Sequence, residues 1–185
     1  MDIDTVPSND ILYILLTEEQ IKERVRAIGE QITGDYRDGE LLVVGLLKGS
    51  VVFIADLIRS INLKMKMDFM SVSSYGEKTV SSGEVRIVKD LDMDVIGQDI
   101  LVVEDILDSG LTLEYILDIL KSRHPRSVRI CALLTKPDRH RVNVRADYTG
   151  FVIPDEFVVG YGLDYRERYR NLPYIGVLKT KVYGK

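Results

Sequence analysis

Cysteine, histidine and proline are scarce in these 185 residues, with one, two and five of each. A lone thiol, Cys131, cannot close an internal disulfide, and its place in SVRICALL reads as a buried strand thiol rather than a nucleophile. His124 and His140 lack His or Cys companions at zinc-ligand spacing, so a structural metal site is excluded and both read as solvated. No apolar run approaches membrane-spanning length, and the acidic opening MDIDTVPSND lacks the basic-then-apolar order of a secretory signal. The formal net charge of -4 leaves no basic excess of the kind that marks nucleic-acid binding. The expectation is a cytoplasmic protein with no membrane and no nucleic-acid partner. Hydrophobic residues at 45% and charged residues at 29% are ordinary for a globular chain, and the length suits a single domain over residues 1–185.

What is present is a repeated order of aliphatic strand, small-residue turn and amphipathic helix. TEEQIKERVRAIGEQITG carries Ile21, Val25, Ile28 and Ile32 at helical spacing, with a Thr17/Gln20 capping box and Gly34 as the expected stop. LLVVGLL predicts a wholly apolar strand, Lys48–Gly49–Ser50 a turn, and Ser50 the start of a helix. MDFMSVSSYG predicts a strand, and GEVRIVKDL with MDVIGQ an antiparallel ribbon. DILVVED predicts the central strand, and the helix after it carries a stripe of Leu113, Ile116, Leu117 and Leu120, with Pro125 beyond its end. RSVRICALLTK, DYTGFVIP, FVVGYG and PYIGVLK add strands. Aliphatic strands without alternation, interleaved with helices, predict an α/β fold whose mainly parallel sheet is covered on both faces. Ligands of such sheets bind at the carboxyl ends of strands, where EDILDSG, LLKGS and LLTKP all fall.

The stretch LVVEDILDSGLTL crowds Glu104, Asp105 and Asp108 between a buried strand and a small-residue turn. Like charges so close raise one another's cost of ionisation unless a cation, a helix end or a ligand offsets it. Gly110 permits close backbone approach, Ser109 and Thr112 supply hydroxyls, and the helix that follows supplies free amides, which together suit a phosphate monoester. The run is neither a Walker loop nor a dinucleotide fingerprint, since neither spacing occurs. The acids suit ribose hydroxyls and Mg2+, which prefers oxygen ligands. A sugar beside a phosphate points to a ribose 5-phosphate; the bland reading is an acidic turn with Asp108 or Ser109 as helix cap.

ILVVEDILDSGLT resembles the phosphoribosyl-diphosphate (PRPP) motif of the type I phosphoribosyltransferases. Together with LLKGS, SSYG, LLTKP and FVVGYGLDYRERYRNLPYIGVL, spanning about residues 10 to 180, it is similar to hypoxanthine-guanine phosphoribosyltransferases. The resemblance implies the type I fold, with a small hood and a flexible loop, and transfer of 5-phosphoribosyl from PRPP to N9 of hypoxanthine or guanine. It implies that Glu104 and Asp105 hold the ribose hydroxyls and Mg2+, and that Asp108 exchanges a proton with N7 of the base. Ser109, Gly110, Leu111 and Thr112 would grip the 5-phosphate, and Lys48, Gly49 and Arg170 the pyrophosphate, with a Leu47–Lys48 peptide that is often cis in the family. Ser74 and Tyr75 match a loop that closes over the reaction. Lys136 would donate to a 6-oxo purine, Phe157 would stack on it, Val158 and Asp164 would meet its edge, and Asp164 would also bind a second Mg2+. Arg166 and Arg168 read as helix-surface charges. Glu156, where some members carry lysine, and Leu107 and Ser109 within the motif are departures from the family pattern. The family forms homodimers or homotetramers. Two other readings share the motif: an RNA-binding attenuator on the same fold, which would need a basic surface and an Asp-Asp pair, and a xanthine-guanine enzyme.

Overall fold

The computed structural model describes residues 9–37, 39–74 and 85–184. Six strands form the main sheet in the order β4-β3-β2-β5-β6-β7, with β2 (Leu41–Leu47), β3 (Met65–Ser74), β5 (Asp99–Leu107), β6 (Ser127–Thr135) and β7 (Tyr148–Val152) parallel. Only β4 (Val85–Lys89) runs antiparallel, against β3. A smaller antiparallel sheet orders β1 (Ile11–Leu16), β9 (Ile175–Leu178) and β8 (Val158–Val159), and it is the hood expected from the resemblance.

The continuous apolar strands follow from burial on two faces. In β2 and β5, Leu41, Val43, Leu101 and Val103 join the core beneath α1 (Glu18–Asp35) and α2 (Val51–Ser60). Their neighbours Leu42, Val44, Ile100 and Val102 join a second core beneath α3 (Leu111–Ser122). With both faces dry, the middle stretches Leu41–Val44 and Ile100–Val103 are wholly apolar, and alternation disappears. Cys131 is buried in the first core, where burial pushes its thiol pKa far up and leaves it inert.

Thr17 and Gln20 form the expected capping box at the start of α1. Gly34 does not end that helix. The chain continues to Asp35 and stops at Tyr36, whose ring is buried and whose amide bonds the Ile32 carbonyl. MDVIGQ is not a strand, and β4 pairs with β3 instead. The amides of Asp92 and Met93 donate to the Asp68 carboxylate at 2.7 and 3.2 Å, so they are unavailable to a ladder. The strand β1, ILYILL, was not anticipated; it pairs with β9, from the far end of the chain. His124 is exposed, but His140 is partly buried and its Nε2 lies 3.1 Å from the Thr135 hydroxyl, so it is not a solvated histidine. Among the described residues no helix is long and apolar enough to cross a membrane.

Candidate active site

Because β5 lies parallel between β2 and β6, the carboxyl ends of all three strands open on one rim. Glu104, Asp105 and Asp108 sit there, each partly exposed after the buried run Leu101–Val103. Gly110 takes a left-handed φ of 82° and occupies the N-cap position of α3, so neither Asp108 nor Ser109 is the cap. No side chain caps this helix, and the Leu111 amide is 3.5 Å from the Ser109 hydroxyl, at the limit of a hydrogen bond. The first-turn amides of α3 are thus left pointing at a hollow of about 80 Å³ bounded by Asp108, Ser109, Gly110 and Thr112.

A larger cleft of about 550 Å³ adjoins it, lined by Asp105, Lys136, Phe157, Val158 and Asp164. Ile106 and Asp108 border both spaces. From the end of β2, Gly49 packs on this wall so closely that a Cβ would lie 1.7 Å from Asp105 Oδ2. Any side chain at 49 would displace the Asp105 carboxylate. The preceding Leu47–Lys48 peptide is cis. Ser50 holds the expected N-cap position of α2, but its hydroxyl caps no helix amide and donates back to the Leu46 carbonyl at 2.6 Å.

Charge is distributed unevenly over the rim. Burial and then the Asp105 charge hold the Glu104 carboxyl well above the usual carboxylate range. Burial also raises Asp105; the Ile106 amide, its own amide and Arg170 oppose this, and Asp164 adds to it. Among the described residues no salt bridge reaches either acid. Nor does any group of three metal-ligating side chains occur among them. Two adjacent carboxylates lacking a cation suit Mg2+, which keeps several waters and takes its remaining oxygens from substrate.

Four cations at the rim, by contrast, are already partnered: Lys48, Lys136, Arg139 and Arg170. Lys48 Nζ lies 3.2 Å from Glu167, Arg170 lies 2.9 Å from Asp164 and 3.4 Å from Glu167, and Arg139 Nε donates to Asp108 at 2.6 Å. Lys136 is 7% exposed and donates to the Glu156 carbonyl at 2.7 Å. Phe157 stacks on Tyr183 of the C-terminal turn α4 (Thr180–Tyr183) at 4.8 Å and meets Tyr165 edge-on at 5.5 Å. Val158 is buried in the first core.

The structure therefore gathers Lys48, Gly49, Glu104, Asp105, Asp108, Ser109, Gly110, Leu111, Thr112, Lys136, Phe157, Val158, Asp164 and Arg170 around one rim. Ser74 ends β3, with its backbone paired to Val85, and Tyr75 lies outside the described residues. Arg166 and Arg168 are exposed but not helical, for the segment holds left-handed φ values at Arg166, Glu167 and Tyr169. Sequence reasoning missed Arg139, Glu167 and Tyr183. Arg139 could have been suspected from KPDR, where a tight turn returns a side chain toward the preceding strand end; Glu167 and Tyr183 carry no comparable local signal.

Comparison with known proteins gives the family. Residues 14–166 match the model of the phosphoribosyl transferase domain. The hypoxanthine-guanine phosphoribosyltransferase of Bacillus subtilis is 54% identical over 175 residues, covering 95% of this chain and 97% of that protein. The bifunctional protein TilS/HprT of Listeria monocytogenes is 53% identical over 96% of this chain but only 27% of its own length, so the chain spans about a quarter of that relative. The crystal structure of a hypoxanthine phosphoribosyltransferase from Staphylococcus aureus superposes with a TM-score of 0.95 at 50% identity, covering all of both chains. The chain belongs to the phosphoribosyltransferase family, in the group of the hypoxanthine-guanine phosphoribosyltransferases.

Proposed function

We propose that this protein serves purine salvage by transferring 5-phosphoribosyl from PRPP to N9 of hypoxanthine or guanine, giving IMP or GMP and pyrophosphate. The observation that carries this reading is the pair of adjoining spaces. One is phosphate-sized and lined by amides and hydroxyls, the other is large enough for a base and diphosphate, and unneutralised acids lie at their junction. In this reading Ser109, Gly110, Leu111 and Thr112 hold the 5-phosphate at the start of α3. Glu104 and Asp105 accept hydrogen bonds from the ribose hydroxyls and hold Mg2+, and Asp164 is placed to hold a second ion. Mg2+, when bound, neutralises charge on the diphosphate and improves it as a leaving group.

The chain's own residues then perform three tasks. Lys48, the Gly49 amide and Arg170 bind the departing pyrophosphate, and to do so the two cations exchange their present carboxylate partners for phosphate oxygens. Lys136 donates to the 6-oxo group and has no acceptor to offer a 6-amino group, which selects hypoxanthine or guanine over adenine. Phe157 supplies the stacking face, the backbone at Val158 and Asp164 meets the edge of the base, and Asp108 exchanges a proton at N7 as N9 forms its bond to the sugar. The C1–O bond to pyrophosphate breaks as the C1–N9 bond forms, so no protein nucleophile takes part. Ser74 and Tyr75 belong to the segment that covers the reaction and excludes water. We assign the protein to the cytoplasm, as a single domain that works as a homodimer or homotetramer.

The test is incubation with PRPP, Mg2+ and each of hypoxanthine, guanine, xanthine and adenine, following nucleotide formation. IMP and GMP are expected, with no AMP. Absence of IMP and GMP together with salt-sensitive RNA binding would contradict the proposal, and preferential formation of XMP would redirect it to the xanthine-guanine type.

A further inference from the structure

Glu167 stands between the two cations assigned to pyrophosphate, and nothing in the reaction requires a carboxylate there. Its Oε2 lies 3.2 Å from Lys48 Nζ and 3.4 Å from Arg170 Nη2. Lys48 follows β2, whereas Arg170 belongs to the loop before β9, so this one carboxylate bridges two separate walls of the cleft. The placement is held from behind: the Glu167 amide donates to Asp164 Oδ2 at 2.8 Å, and Asp164 Oδ1 meets Arg170 at 2.9 Å. Arg170 Nη1 also donates to the Gly162 carbonyl at 2.8 Å. Arg166 and Glu167 adopt φ values of 52° and 62°, two successive non-glycine residues in the left-handed region. They are the two central residues of a tight hairpin turn that needs this conformation at both positions, closed by the Tyr165 amide to the Arg168 carbonyl at 3.2 Å and the Arg168 amide to the Tyr165 carbonyl at 3.1 Å. The turn projects the exposed Glu167 carboxylate between the two cations.

Building on the proposed reaction, we infer that Glu167 is an internal stand-in for the leaving group, an anion that occupies the place of a phosphate oxygen between Lys48 and Arg170 and is displaced by the diphosphate. The Lys48–Glu167 pair is solvent-accessible, with side-chain exposures of 67% and 65%, so exchanging that contact costs little; Arg170, at 23%, is the more fixed partner. A tightly held carboxylate would block the substrate; a loosely held one competes weakly with it and eases release of pyrophosphate, because it returns to the cations as the product leaves.

The test is calorimetric titration of inorganic pyrophosphate with Mg2+ at low ionic strength, alongside the KM for PRPP, for the whole protein and Glu167→Gln. Removing the competing charge is expected to tighten pyrophosphate about 3- to 10-fold and to lower the KM for PRPP by a similar factor, the scale of an exposed ion pair. Thermal unfolding is expected to stay unchanged, and kcat to remain equal or fall as release slows. In a Lys48→Met background most of the gain is expected to vanish, since the competition is for that ammonium. Unchanged or weaker pyrophosphate binding by the folded Gln variant would overturn the inference, as would a gain that persists fully without Lys48, which would mark a general field effect. A protein that binds pyrophosphate with no gain in the Gln variant refutes the role of Glu167 alone. Failure of the unaltered protein to bind pyrophosphate or form nucleotide refutes the proposed reaction as well.

Discussion

Two carboxylate sites in the same sheet are treated in opposite ways. Asp68, in β3, is 6% exposed and accepts from the amides of Phe69, Asp92 and Met93 at 2.7, 2.7 and 3.2 Å, with Lys89 Nζ at 3.3 Å. Glu104 and Asp105, at the end of β5, are two like charges side by side; among the described residues Asp105 accepts from backbone amides alone, those of Ile106 and of Asp105 itself, and no ammonium or guanidinium bonds either acid. Burial acts on both sites in the direction that raises a carboxyl pKa. At Asp68 the amides and the ammonium outweigh it and the net shift is downward; at Glu104 and Asp105 burial wins. A buried acid whose lone pairs are satisfied by its own chain is a fastener. A pair left short of partners at a strand end is a receptor, since the missing charge must come from outside.

The contrast can be broken by separating stability from activity. The largest effect is expected from Asp68→Ala, which strands up to three amides and Lys89 and should cost about 3 kcal/mol in denaturant unfolding, while kcat per folded molecule stays near wild type. Linkage gives the same site a pH signature. Its folded pKa is depressed, so its stabilisation is fully present above the unfolded value of about 4 and is lost as pH falls through the lower folded value. Unfolding midpoints measured between pH 2 and 6 should show this loss in wild type and not in Asp68→Asn.

Asp108→Asn should do the reverse, lowering kcat by roughly 10²-fold, about 2.7 kcal/mol, with PRPP still bound and thermal stability little changed. Turnover at the wild-type rate would remove Asp108 from the chemistry. The smallest shift in stability, and the sharpest test of the contrast, is Glu104→Gln. Relieving like-charge repulsion should leave the midpoint of unfolding unchanged or raise stability by up to about 1 kcal/mol while PRPP binding weakens. A loss of stability resembling that of Asp68→Ala would show that Glu104 is a fastener after all.

The scaffold was legible because its cause is local. Unbroken aliphatic runs separated by small-residue turns can be buried only in a doubly covered parallel sheet, and Thr17 with Gln20 fixes a helix start by two hydrogen bonds three residues apart. The carboxyl-end rule then placed LLKGS, EDILDSG and LLTKP on one rim, while the roles within it came from family resemblance. What the sequence did not reveal depends on distant partners. ILYILL becomes a strand because Ile175–Leu178 lies beside it, and MDVIGQ fails to become one because the Asp68 and Asp94 side chains and the His124 carbonyl take the amides of Met93, Ile96 and Gly97. Arg139 meets Asp108 across a turn, Glu167 joins two loops by their cations, and Tyr183 reaches Phe157 from the end of the chain. Pairings of this kind are set by the assembled fold.

The most direct test of a receptor at Glu104 and Asp105 is a titration of PRPP into the protein with and without Mg2+, repeated on the double variant Glu104→Gln, Asp105→Asn. Binding that depends on Mg2+ in wild type and is lost at least tenfold in the folded double variant is the expected result. Equal PRPP affinity in the two proteins, with or without the ion, would contradict it.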